Sequence, residues 1–179
     1  MTEPTPEKKG KRESKLPVEV NEDEFIELME ATNKIHHKIA FLLAWESGLR
    51  ISEVINLRPE HINEKEKTVF ILEGKGCKDR YTNLPIDWMP HLKNYIPIKC
   101  SIRALQASFM LYAQKTGLRA RKPTVHFHSL RHGYATHCVR QGVKLPMLQI
   151  MLGHSDLATT SVYLRVAPKE AVEEVLAKW

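Results

Sequence analysis

Residues Thr68 to Leu84 read TVFILEGKGCKDRYTNL, and this stretch decides the fold class. Thr68 to Leu72 is β-branched and apolar, Glu73 to Arg80 is a glycine-containing turn, and Tyr81 to Leu84 can return as a second strand. The pattern predicts a β-hairpin with a basic tip. On both sides the texture is helical.

Toward the N-terminus, Ile51, Val54, Ile55 and Leu57 predict a short helix ended by Pro59, because the residue before a proline is biased out of the helical region. A helix from about His36 through Leu43 precedes it, with Gly48 at a left-handed stop. Asn21 is a candidate N-cap, followed by Glu22, Asp23 and Glu24 in the first turn and by the apolar Phe25, Leu28 and Met29. Residues 1–17 are rich in Pro, Lys and Glu and cannot bury enough surface to fold, so they read as a flexible basic arm or linker. Toward the C-terminus come a short helical segment to Tyr95, a longer one from Ser101 to Thr116, and a basic loop from Arg119 to Thr124. A helix from about His128 to Gln141, another from Leu145 to Leu152, and a capped turn carrying Thr159, Thr160 and Tyr163 follow. An amphipathic tail runs from Pro168 to Trp179. The expected fold class is mainly α with a small antiparallel β-sheet, one α+β domain over residues 18–179.

With 179 residues and 42% apolar content the chain supports one good core. Its apolar runs, such as Ile39 to Trp45, fall well short of the roughly 20 residues of a membrane span, and the N-terminus is charged. A soluble, cytoplasmic protein is expected. The three cysteines, Cys77, Cys100 and Cys138, lie far apart without CxxC pairing, which argues for reduced thiols. The net charge is +6, and no acidic residue occurs between Asp87 and Asp156, a window holding Lys93, Lys99, Arg103, Lys115, Arg119, Arg121, Lys122, Arg131, Arg140 and Lys144. Such a run points to a polyanion partner or, more blandly, to a solvated face.

Several residues carry possible chemistry. His128 and Arg131, three apart in HSLRH, share a helix face and can approach one anion. Arg50 lies at a helix boundary with Glu53 as an orienting partner, and an arginine fork matches phosphate oxygens. Lys75 occupies the hairpin tip, where GKG lacks the GxxxxGK[ST] pattern of a nucleotide loop. Nine histidines raise a metal site, but there is no HExxH motif, and the stretch around His126, His128, His132 and His137 has no carboxylate. Phosphate chemistry would then need a protein nucleophile, and Tyr163 is the candidate. A phenol titrating near about pH 10 needs a strongly positive site to act.

GLRISEVINL, GKGCKDR, HSLRHGYATH and LGHSDLATTSVY, in that order, resemble the tyrosine recombinases of the phage-integrase and Xer type from about residue 21 to the end. The resemblance implies Arg50 and Arg131 as phosphate-clamping arginines and Lys75 as the lysine that protonates the leaving 5′ oxygen. It implies His128 as the proton-handling histidine, His154 as a further donor to the phosphate, and Tyr163 as the nucleophile. His137 matches a position that is structural. The implied activity is site-specific cleavage and rejoining of double-stranded DNA through a 3′-phosphotyrosine, with no cofactor, metal or ATP. A homo-tetramer on paired sites, joined through the C-terminal tail, is implied too, and the tail could equally fold back on its own core. The family's usual core-binding domain, about a hundred residues in keeping with domain sizes generally, is expected to be absent from this chain. Other readings of the same residues are type IB topoisomerase-like relaxation and a recombinase-derived DNA-binding protein.

Overall fold

The computed structural model describes residues 17–72, 79–154 and 160–161. Three short strands, β1 (Ile62–Asn63), β2 (Thr68–Ile71) and β3 (Arg80–Asn83), form an antiparallel sheet in the order β1-β2-β3. Before them come the helices α1 (Glu22–Ala31), α2 (Ile35–Glu46) and α3 (Ile51–Asn56). After them come α4 (Ile102–Lys115), α5 (Leu118–Arg121), α6 (His128–Arg140) and α7 (Leu145–Leu152), with 3-10 turns at Pro59–His61 and Pro90–Tyr95.

Local chemistry sets the helix ends. Asn21 Oδ1 accepts from the Glu24 amide at 2.9 Å while the Glu24 carboxylate accepts from the Asn21 amide at 3.0 Å, a reciprocal capping box for α1. Ser101 caps α4 through the amide of Ala104. Glycines with positive φ follow α2, α4, α6 and α7 at Gly48, Gly117, Gly142 and Gly153.

Two elements differ from the sequence reading. The hairpin gains β1 as a third strand, whose two residues pair Ile62 with Val69 and Asn63 with Thr68. The stretch read as a loop from Arg119 begins inside a helical turn, because Gly117 in a left-handed conformation redirects the chain into α5.

The core is laid around α2, where His37 and every residue from Ile39 to Trp45 are buried, as a helix enclosed on all sides requires. Phe41 meets Phe109, Tyr112 and Phe127 at 5.8, 6.2 and 6.0 Å in edge-to-face geometry, and Phe25 stacks on Trp45 at 4.4 Å. The extended segment before α1 is threaded between α2 and α6: the Val20 amide donates to Ser129 O, and Trp45 Nε1 donates to Val20 O, both at 3.0 Å. Gly133 of α6 makes this crossing possible. A Cβ there would stand 2.1 Å from Val20 O and 2.8 Å from Trp45 Nε1. A smaller apolar cluster of Tyr134, Ala135, Cys138, Leu148 and Leu152 joins α6 to α7.

In the sheet, Val69 and Ile71 face inward and lie opposite Thr82 and Arg80. The strand alternation therefore turns a guanidinium, that of Arg80, into the interior.

Candidate active site

Glu53, in the first turn of α3, is the centre of the site. Its Oε2 accepts the Arg50 amide at 2.7 Å and its Oε1 accepts Arg50 Nη1 at 2.7 Å. Arg80 Nη2 donates to both carboxylate oxygens, at 2.9 and 2.8 Å. Arg131 Nη1 lies 3.8 Å from Oε2. The Arg50 to Glu53 pairing expected from GLRISE is present, and the same carboxylate reaches two further arginines from β3 and α6.

The C-terminal end of α7 supplies the other half of the frame. The last carbonyls of a helix lack intrahelical donors and carry the negative end of its dipole. Here Met151 O accepts from Arg80 Nε at 2.8 Å, Leu152 O accepts from Arg131 Nη2, and Gly153 O accepts from Arg50 Nη2 at 3.0 Å. Arg131 Nη1 also donates to Gly48 O at 2.7 Å. Successive carbonyls thus each hold one guanidinium, and the turn leading to His154 is fixed by the same cations.

One carboxylate among three guanidinium groups leaves the cluster net positive, as an anion site requires. Burial by itself would raise the Glu53 carboxyl, but the Arg80 charge, the Arg50 amide and Arg131 outweigh it and bring its pKa to about 2. The arginines differ in access. The Arg50 side chain is 33% exposed and lines an open cleft of about 1110 Å³ together with Ser52, Arg58, His61 and Phe70. Arg131 is 1% exposed and is held by the carbonyls of Gly48 and Leu152.

Three histidines line the arginine cluster in their neutral form. Burial, followed by Arg131, lowers the pKa of His128 to about 4. Burial lowers that of His132 to about 3, with His128 the next cause, and burial with Arg131 lowers that of His154 to about 4. The His128 and His132 rings meet edge to face at 4.8 Å. His154 Nδ1 lies 2.9 Å from the hydroxyl of Thr160, which is fully buried. If Nδ1 accepts this bond, Nε2 carries the proton and is a donor.

Of the residues singled out from sequence, Arg50, His128, Arg131 and His154 come together. Lys75 and Tyr163 lie outside the described residues, as do the tail from Pro168, Cys77 and nearly all of the arm over 1–17. His137, half-buried, packs its ring on Trp45 at 5.6 Å. Sequence reading missed Arg80 as a member of the site because it assigned Arg80 to the hairpin turn, whereas the structure makes it the first, inward-facing residue of β3. Thr160, which the sequence puts on the turn before Tyr163, has His154 as its partner.

The basic run of the C-terminal half is partly accounted for by structure. Arg121 pairs with Glu27 at 2.5 Å, Lys122 with Glu24 at 2.6 Å and Arg140 with Glu19 at 3.4 Å, while Lys93 donates to Ile62 O. Lys99, Arg103, Lys115, Arg119 and Lys144 are exposed.

The phage integrase family model matches residues 19–170. A tyrosine recombinase of Thermosipho africanus is 37% identical over 174 residues, which cover 90% of this chain and 62% of that protein. The tyrosine recombinase XerA of Pyrococcus furiosus is 31% identical over 180 residues, covering 89% of this chain and 61% of the relative. The chain therefore spans about three fifths of the length of these curated relatives. Among solved structures, a crystal structure of XerA recombinase superposes with a TM-score of 0.76 at 23% identity, covering 92% of this chain and 66% of that one. The XerH site-specific recombinase in a post-cleavage complex with its palindromic difH substrate gives 0.72 at 23%, covering 92% and 54%. Both likenesses concern the fold, mostly helical with one small sheet.

Proposed function

The chain belongs to the phage integrase family, and from that premise we propose that it is the catalytic part of a site-specific DNA recombinase that works through Tyr163. The observation that carries the reading is the convergence of Arg50, Arg131, His128 and His154 on one positively charged, carboxylate-ordered site.

The step follows from the chemistry of those groups. The Tyr163 phenol oxygen attacks the scissile phosphorus, a 3′-phosphotyrosine bond forms, and the bond to the 5′ oxygen breaks. The phenol proton passes to His128. Lys75 gives a proton to the leaving 5′ oxygen. Arg50 and Arg131 clamp the non-bridging oxygens, and His154 Nε2 donates a further bond. Rejoining runs the sequence in reverse with a 5′ hydroxyl as the attacking group. The phosphotyrosine keeps the phosphodiester's bond energy, so the cycle balances without ATP or metal. The partner is double-stranded DNA, on which copies of the chain assemble as a tetramer through the tail after Pro168.

A suicide DNA substrate carrying the cognate site and a nick beside the scissile phosphate tests this reading. We expect a covalent protein–DNA adduct on a denaturing gel that persists in EDTA and vanishes in Tyr163→Phe. An adduct that survives Tyr163→Phe, or one that requires a divalent metal, overturns the mechanism. Stable DNA binding without any adduct supports a DNA-binding role instead.

A further inference from the structure

Arg80 opens β3 with its side chain turned inward, and 3% of that side chain meets solvent. A guanidinium so buried is costly unless its donors find acceptors. Here the acceptors are both oxygens of Glu53 and the carbonyl of Met151. Its guanidinium also lies against Gly153, where a Cβ would stand 2.9 Å from Nη1, 3.0 Å from Cδ and 3.1 Å from Cζ. With φ at +63°, position 153 is doubly suited to glycine.

We propose that Arg80 is a positioning residue for strand cleavage: it fixes Glu53, and through Glu53 the partly exposed Arg50, while tying the start of β3 to the α7 end that precedes His154. This rests on the recombinase reading above. Arg80 touches no reacting atom. Its effect comes from bridging two oxygens of one carboxylate and a helix-end carbonyl simultaneously, which the single ammonium of a lysine cannot reproduce. Glu53 without Arg80 keeps Arg50 as a partner but loses the contact that holds its plane.

The test compares wild type, Arg80→Met, Arg80→Lys, Glu53→Gln and the Arg80→Met/Glu53→Gln double variant on the nicked suicide substrate at saturating DNA. Arg80→Met is expected to slow single-turnover adduct formation about a hundredfold, the scale of losing one preorganised donor. DNA affinity should change by less than about threefold, which separates positioning from binding. Arg80→Lys should lose about tenfold and provides the comparison if the methionine variant does not fold. Because both residues act as one unit, the double variant should be no slower than the worse single one. The acid limb of the rate profile should move to higher pH in Arg80→Met, since Glu53 loses the main charge that lowers its pKa.

A carbon-13 titration of the Glu53 carboxyl reads the same coupling without any activity. Its pKa should rise in Arg80→Met. Cleavage by Arg80→Met within about threefold of wild type, multiplying losses in the double variant, or an unmoved Glu53 titration each overturns the role. A wild type that forms no adduct, combined with a Glu53 titration that still moves in Arg80→Met, rejects the recombinase reading and retains the Arg80 to Glu53 linkage.

Discussion

Where α1, α2 and α4 meet, the interior is aromatic: Phe41 against Phe109 and Tyr112, and Phe25 on Trp45. Where α3, β3, α6 and α7 meet, it is ionic: Glu53 with Arg50, Arg80 and Arg131, and each guanidinium on a carbonyl at the end of α7. The aromatic region gains stability from every apolar area it hides. The ionic region gains little, since desolvating its charges offsets most of their attraction, and apolar residues of the same volume would serve stability as well or better. Such a cluster is explained by what it holds in place. The difference separates residues that keep the chain folded from residues that keep it ready to act.

The strongest way to break that comparison is to remove one large residue from each region. Phe109→Ala should cost about 3–5 kcal/mol of stability through its cavity. Glu53→Ala should cost a similar 3–5 kcal/mol or so, because Arg80 and Arg131 are left as uncompensated buried charges. The two should part in chemistry. At a temperature where both are folded, Phe109→Ala should form the DNA adduct at a near wild-type rate, and Glu53→Ala should be slower by about two to three orders of magnitude. Denaturant unfolding with single-turnover cleavage measures both quantities, and equal losses of cleavage would erase the distinction.

Next in size is Gly133→Ala, at the seam where the Val20 segment crosses α6. Its new Cβ must displace Val20 O or the Trp45 indole, so we expect a loss of about 1–3 kcal/mol, as overpacking generally gives. Urea midpoints would show it. A variant as stable as wild type would mean that the crossing gives way without cost.

The seam also shows what the sequence could and could not convey. Caps and stops were legible because their signals are local: Asn21 with Glu24, Gly48 after α2, Gly142 after α6. The strand β1 was not, because two residues carry no alternation, and α5 was hidden by the proline and cations around it. In the site, Glu53 could be joined to Arg50 because they lie one helical turn apart. Its grip on Arg80 joins positions 27 residues apart, and the α7 carbonyls that hold the arginines are backbone atoms without a sequence signature. Lys75 and Tyr163 rest on motif resemblance alone.

Acid should separate the two regions further. His128, His132 and His154 have folded pKa values of about 4, 3 and 4, below the ordinary value of 6.5. The unfolded chain therefore binds more protons as the pH falls from 6.5 toward 4, and stability must fall across that window. His37, in the aromatic region, is lowered by burial and by its neighbours His36 and Lys34, so it contributes in the same direction. We expect the Tm to drop as pH falls from 6.5 to 4, and His132→Gln to flatten that drop more than His37→Gln. The reverse order would place the acid-sensitive element in the aromatic core.

The smallest effect concerns the basic run, and it decides how that run should be read. Arg121 and Glu27 are each roughly half exposed, so Arg121→Ala should change stability by less than about 1 kcal/mol, as surface pairs do. Its charge is already matched by Glu27 at 2.5 Å, whereas Arg50 lines an open cleft and belongs to a net-positive cluster. Each phosphate neutralised on binding contributes a slope of roughly −0.9 to the dependence of log K on log salt. Replacing Arg50 by alanine should therefore reduce the steepness by about one contact, and replacing Arg121 should leave it unchanged. An equal reduction from both would mean that the Arg121 pair opens onto DNA, and that charge counted along the chain is a better guide to the contact surface than charge left after pairing.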